Sequence, residues 1–125
     1  MAFIQPCFIR KNTPEIRKKL EELGYKYYSR DTKYGVESAL FCHDGKYYEV
    51  YPAKPSIYHS IIDCGTNEKL FLALAALRDD THKNQWFTDG GNIWEKSNGE
   101  LPSHYMQLEG HKATVEEIIE HFNKK

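Results

Sequence analysis

Eight consecutive apolar residues, Leu70 to Leu77, occupy the middle of the chain without one polar position among them. A helix built from such a run has no face for water, so it must lie between other elements. Just before it, Ser60-Ile61-Ile62-Asp63 reads as the end of a strand, and Cys64-Gly65-Thr66-Asn67 breaks the run. The segment is therefore strand, tight turn, buried helix, with Thr66 as the expected cap and an expected end near Arg78-Asp79-Asp80. This fixes the centre of the fold.

A chain of 125 residues suits one domain, 1–125, and buries roughly two-thirds of its unfolded surface without a disulfide or metal staple. Seventeen Lys and Arg against eighteen Asp and Glu leave a net charge of −1, so no global field favours a polyanion and nucleic acid is disfavoured as a partner. Cys7, Cys42 and Cys64 are odd in number and lie within apolar segments, the usage of a reducing compartment. The N-terminus lacks the pattern of a secretory signal, and no run approaches the roughly 18 apolar residues of a membrane span. A soluble, cytoplasmic protein without membrane contact is expected.

Local signals supply the remaining elements. Cys7–Arg10 is a short strand after Pro6. Thr13 caps the first helix, Pro14 suits its first position and Gly24 closes it, with Ile16, Leu20 and Leu23 on one stripe. Tyr25–Ser29 returns as a strand parallel to the first if the two share a sheet. Asp44-Gly45 is a two-residue hairpin signal that pairs Phe41 with Tyr48, Ala39 with Val50, Cys42 with Tyr47 and Leu40 with Glu49. The face of Phe41, Tyr48, Ala39 and Val50 is expected to be the core face. Ile57–Ile62 feeds the buried helix. Gln85–Thr88 and Ile93–Lys96 bracket a glycine-rich hairpin loop, His104–Leu108 reads as a last strand, and Thr114-Val115-Glu116-Glu117 is a capping box opening the final helix. The resulting fold class is α+β: a single domain with a mixed, mostly antiparallel sheet of about six to seven strands and three helices, the middle one buried.

Two constellations carry functional weight. At Cys64, Gly65, Thr66 and Asn67 the strand-to-helix turn directs backbone N–H groups and a positive dipole end outward, a fit for a phosphate or carboxylate, although the glycine and lysine pattern of a nucleotide loop is absent. Cys64 at a helix start is also a candidate activated thiolate, but no spacing supplies its base, and a structural cysteine is the favoured reading. The second constellation is the tyrosines. Tyr25, Tyr27, Tyr47 and Tyr51 are expected to look away from the core and to offer a protein partner large contact area at low entropy cost. No histidine or cysteine spacing marks a metal site, Asp79-Asp80 with His82 reads as exposed surface, and nothing demands a cofactor.

The segments Cys7–Tyr25, Ile62–Thr81 with Asn84–Phe87, and His111–Phe122 resemble a group of small uncharacterised proteins of intestinal bacteria and their phages. That resemblance implies a phage or mobile-element accessory protein acting on a host component, without implying an activity or site residues. The expected function is thus a non-catalytic binding protein with a host-protein partner. The alternative is a small-ligand binder holding a nucleotide or other anion at Gly65–Asn67.

Overall fold

The protein is described by a computed structural model over residues 5–28, 39–50, 61–97 and 101–123. In chain order the elements are β1 (Cys7–Ile9), α1 (Pro14–Leu23), β2 (Lys26–Tyr27), β3 (Ala39–His43), β4 (Lys46–Val50), β5 (Ile62–Asp63), α2 (Glu68–Ala75), β6 (Trp86–Thr88), β7 (Trp94–Lys96), α3 (His104–Glu109), β8 (His111–Lys112) and α4 (Val115–Asn123). The class is α+β. In place of one sheet and three helices, the described residues form a five-stranded sheet in the order β2-β4-β3-β1-β5, a three-stranded sheet in the order β7-β6-β8, and four helices.

Asp44 and Gly45 both take positive φ, 53° and 79°, the geometry of a two-residue turn whose twist matches its strands. The register follows the sequence expectation at each of its pairs: Ala39 with Val50, Leu40 with Glu49, Phe41 with Tyr48 and Cys42 with Tyr47. The assignment of faces is reversed. Leu40, Cys42 and Tyr47 turn toward the helices and join the main core, together with Cys7 and Ile9 of β1. Ala39, Leu40, Phe41 and Cys42 are all buried, so β3 is covered on both faces and carries no apolar–polar alternation from which to choose between them.

β1 and β2 run in the same direction, as a strand–helix–strand unit requires, but the β3–β4 hairpin lies between them. Thr13 accepts the Ile16 N–H at 3.2 Å, Pro14 opens α1 and Gly24 closes it, as the sequence indicates. Ile16 and Leu20 face α2, which contributes Leu70, Phe71 and Leu74 to the same core. Along the apolar run only Leu72 is half-buried and the rest is buried.

Helix α2 stops at Ala75, two residues before the apolar run does, and the junction that follows it is satisfied by side chains from distant segments. At its start Asn67, not Thr66, is the cap: Asn67 Oδ1 accepts the Leu70 N–H at 3.1 Å. At its end the Tyr25 hydroxyl donates to the Ala75 carbonyl at 2.7 Å, and Gln85 Nε2 donates to the Ala76 carbonyl at 2.6 Å. Gln85 Oε1 accepts the Arg78 N–H at 3.1 Å, and Lys112 Nζ donates to the carbonyls of Arg78 and Thr81. Gln85 is buried, as a side chain making these bonds must be for them to exclude water.

His104–Leu108, expected as a strand, is part of α3: Ser103 Oγ accepts the Met106 N–H and starts a helix over the segment. The last strand is instead β8, paired with β6. Thr114 and Glu117 make the expected capping box, the Thr114 N–H to Glu117 Oε1 at 2.9 Å and the Glu117 N–H to Thr114 Oγ1 at 3.2 Å. Helix α4 bridges α2 and the small sheet. Its Phe122 meets Trp86 edge to face at 5.5 Å between centroids, and His121 stacks on Trp94 at 4.0 Å. Most of the Ile57–Ile62 strand lies outside the described residues.

Candidate binding groove

Tyr25, Tyr27 and Tyr47 do not form one surface. Tyr25 and Tyr47 are core residues, 3% and 2% exposed, and their burial raises both phenol pKa values. The Tyr47 hydroxyl is held by Glu21 at 2.6 Å, which adds to the upward shift. Tyr27 is 50% exposed at the sheet edge, its ring against Tyr47 and its hydroxyl on Glu49. Tyr51 lies outside the described residues. The expectation that Tyr25 and Tyr47 face outward fails because a tyrosine can be buried whenever its hydroxyl finds a partner, here the Ala75 carbonyl and the Glu21 carboxylate.

The Cys64–Asn67 turn keeps its positions together, but the N–H groups of Cys64, Gly65 and Asn67 serve the protein itself. The Gly65 N–H bonds Asp63 Oδ1 at 2.9 Å, the Asn67 N–H bonds the Cys64 carbonyl at 3.0 Å, and the Leu70 N–H bonds Asn67. Thr66 is exposed and is not the cap. The carboxylates of Asp63 and Glu68 flank the turn, the first paired with Arg10 and the second with Lys11 at 3.4 Å. Asn67 Nδ2 donates to the Phe122 carbonyl at 2.9 Å and to Asn123 Oδ1 at 3.2 Å, so the same amide joins the start of α2 to the end of α4. The Cys64 thiol is pushed far up by its hydrogen bond with Cys7 and by burial, the opposite of an activated nucleophile.

The other functional candidates have structural duties. Asp80 makes a two-point pair with Arg78, each contact 2.9 Å, and lies low in pKa because of it. The glycine-rich loop is bonded internally through Thr88 and Asp89, and Tyr105 donates to Asp89 at 2.6 Å. Among the described residues no group of three His, Cys, Asp or Glu side chains is placed to hold a metal ion.

A groove of about 500 Å³ opens between α1, α2, the small sheet and α4. Lys69, Leu72 and Ala73 line it from α2 and Ala76 from its C-cap, at the spacing of one helical stripe, and Lys19, Glu22 and Leu23 line it from α1 in the same way. Asn84, Trp86, Lys96 and Phe122 complete the lining. The floor is apolar: Leu23, Leu72, Trp86 and Phe122 are the half-buried side chains that rest on the core without being enclosed by it. Ala73 and Ala76 leave the space that larger residues would fill. The rim is cationic. Lys19 shares its charge with Glu68 at 4.0 Å, whereas Lys69 and Lys96 make no ion pair among the described residues. The stripe is present in the sequence, but the unbroken apolar run conceals it, because a helix apolar all round gives no sign of which side is left open.

Compared with known proteins, the chain matches no family model, no curated protein and no solved structure.

Proposed function

We propose that this chain is a non-catalytic binding protein whose ligand lies in the groove between α1, α2, the small sheet and α4. The observation that carries this reading is the half-buried floor of Leu23, Leu72, Trp86 and Phe122, apolar surface left accessible inside a concavity. Its volume falls in the range of small-molecule sites, about 300–1,000 Å³. The test uses the neutral fluorophore N-phenyl-1-naphthylamine. The wild-type protein binds it with enhanced emission, and Ala76→Leu, which fills the groove from α2, loses that binding while keeping its urea midpoint. Equal binding by Ala76→Leu, or none by the wild type, refutes the reading.

A host-protein partner is the second reading, favoured by Leu101, Tyr105 and Leu108, which are 64%, 44% and 67% exposed in and just before α3. The resemblance to small phage and intestinal bacterial proteins supports the same class of action, in which a short domain occludes a partner's surface. Leu108→Asp then abolishes capture of a partner that the wild type retains, and capture unchanged by that substitution removes the surface from consideration.

A further inference from the structure

We infer that the occupant of the groove is a free, monomeric anionic amphiphile: an apolar body carrying a single carboxylate, sulfate or phosphate head. This rests on the groove being the binding site, as proposed above. Apart from the indole N–H of Trp86 and the amide of Asn84, the uncharged lining offers no hydrogen-bonding side chain, so the body of the ligand is largely apolar. Charge enters only at the rim, where Lys19, Lys69 and Lys96 stand against Glu22 in the lining, with Lys19 also paired to Glu68. Lys69 comes from the first turn of α2 and Lys96 from the end of β7, so these two cations, without acidic partners among the described residues, reach the groove from different elements. In a chain of net charge −1 this is a local excess of positive charge beside an apolar concavity. The aliphatic stems of lysine extend an apolar wall while their ammonium groups stay in water, which suits a ligand with its head at the rim and its body on the floor.

A groove of about 500 Å³ has the size of a small-molecule site. Inorganic phosphate alone would leave the floor of the groove empty.

The experiment displaces N-phenyl-1-naphthylamine from the full chain with octanoate, octan-1-ol and octylamine at low ionic strength, the ions below their micellar concentrations and the alcohol below its solubility limit. Octanoate is expected to displace the probe at about a tenfold lower concentration than the alcohol, the effect of two partly exposed charge contacts, with the amine weakest. Salt narrows the gap. In the double variant Lys69→Gln/Lys96→Gln the probe still binds and octanoate loses its advantage. Equal midpoints for octanoate and octan-1-ol in the wild type, with the probe bound there and lost in Ala76→Leu, overturn the anionic assignment while leaving the groove in place. A wild type that never binds the probe, or an Ala76→Leu that binds it equally, overturns the groove reading itself. The wild-type ranking needs no variant to fold.

Discussion

Replacing Asn67 separates two bonds that one side chain makes. Its oxygen caps α2 through the Leu70 N–H, and its nitrogen holds the Phe122 carbonyl in the last turn of α4. Asn67→Ala removes both. The lost cap costs about 1 kcal/mol, and the freed carbonyl, partly buried, adds about 1 kcal/mol, for a total of about 2 kcal/mol. Asn67→Asp keeps the cap and even suits the positive end of α2, but turns a carboxylate toward the Phe122 carbonyl and Asn123 Oδ1 at the negative end of α4. It should therefore still cost about 1–2 kcal/mol. Thr66→Ala, an exposed change outside the cap, should stay within about 0.5 kcal/mol. Urea denaturation of the three variants followed by circular dichroism at pH 7 distinguishes them. If Thr66→Ala is as damaging as Asn67→Ala, or Asn67→Asp matches the wild type, the double duty assigned to this amide is wrong.

Three other substitutions probe the same framework. Gln85→Leu leaves the Ala76 carbonyl and the Arg78 N–H without their partner at a buried junction, and should cost about 2–4 kcal/mol in denaturant titration; a neutral result would mean that water reaches that junction. Leu74→Ala opens a cavity where α2 meets the sheet and should cost about 2–5 kcal/mol, whereas a loss under about 0.5 kcal/mol places α2 at a surface. Asp63 is held below the ordinary carboxylate range, chiefly by Arg10 and further by the Gly65 N–H. A folded-state value below the unfolded one adds stability that is present above the ordinary range and disappears as pH falls through the lowered value. Both partners are nearly half exposed, so the contribution should stay below about 1 kcal/mol. An NMR titration of the Asp63 carboxyl in wild type and Arg10→Met measures it, and an unmoved titration in the variant contradicts the pairing.

What could be read from the chain depended on whether one local rule was sufficient. The Asp44-Gly45 turn, the Thr13, Pro14 and Gly24 signals and the Thr114–Glu117 box were legible because each is decided within a few residues. The face of the β3–β4 hairpin was not, because Ala39 through Cys42 are buried on both sides and only the surrounding layers choose. Asn67 and Thr66 are adjacent and both able to cap, and local pattern does not separate them. α3 has six residues, and its period is too short to outweigh an apparent alternation over His104–Leu108. The groove depends on α1, α2 and Trp86 converging across more than sixty positions of sequence, and the stripe of Lys69, Leu72, Ala73 and Ala76 is hidden by the apolar run.

The hydrogen bonds that terminate α2 have a consequence for how the molecule reaches its folded form. An eight-residue helix is far below the length that is stable alone in water. The groups bonded at and just beyond its two ends are Gln85, 9 positions from Ala76, but also Lys112, 34 positions from Arg78, Tyr25, 50 from Ala75, and Phe122, 55 from Asn67. Closing a loop of 55 residues rather than 9 costs about 1.6 kcal/mol more in chain entropy. The central helix is therefore expected to form late, when segments on both sides of it have arrived together. Its amides should then exchange with solvent only through global opening, and the two sheets should lose their structure in one transition rather than in sequence.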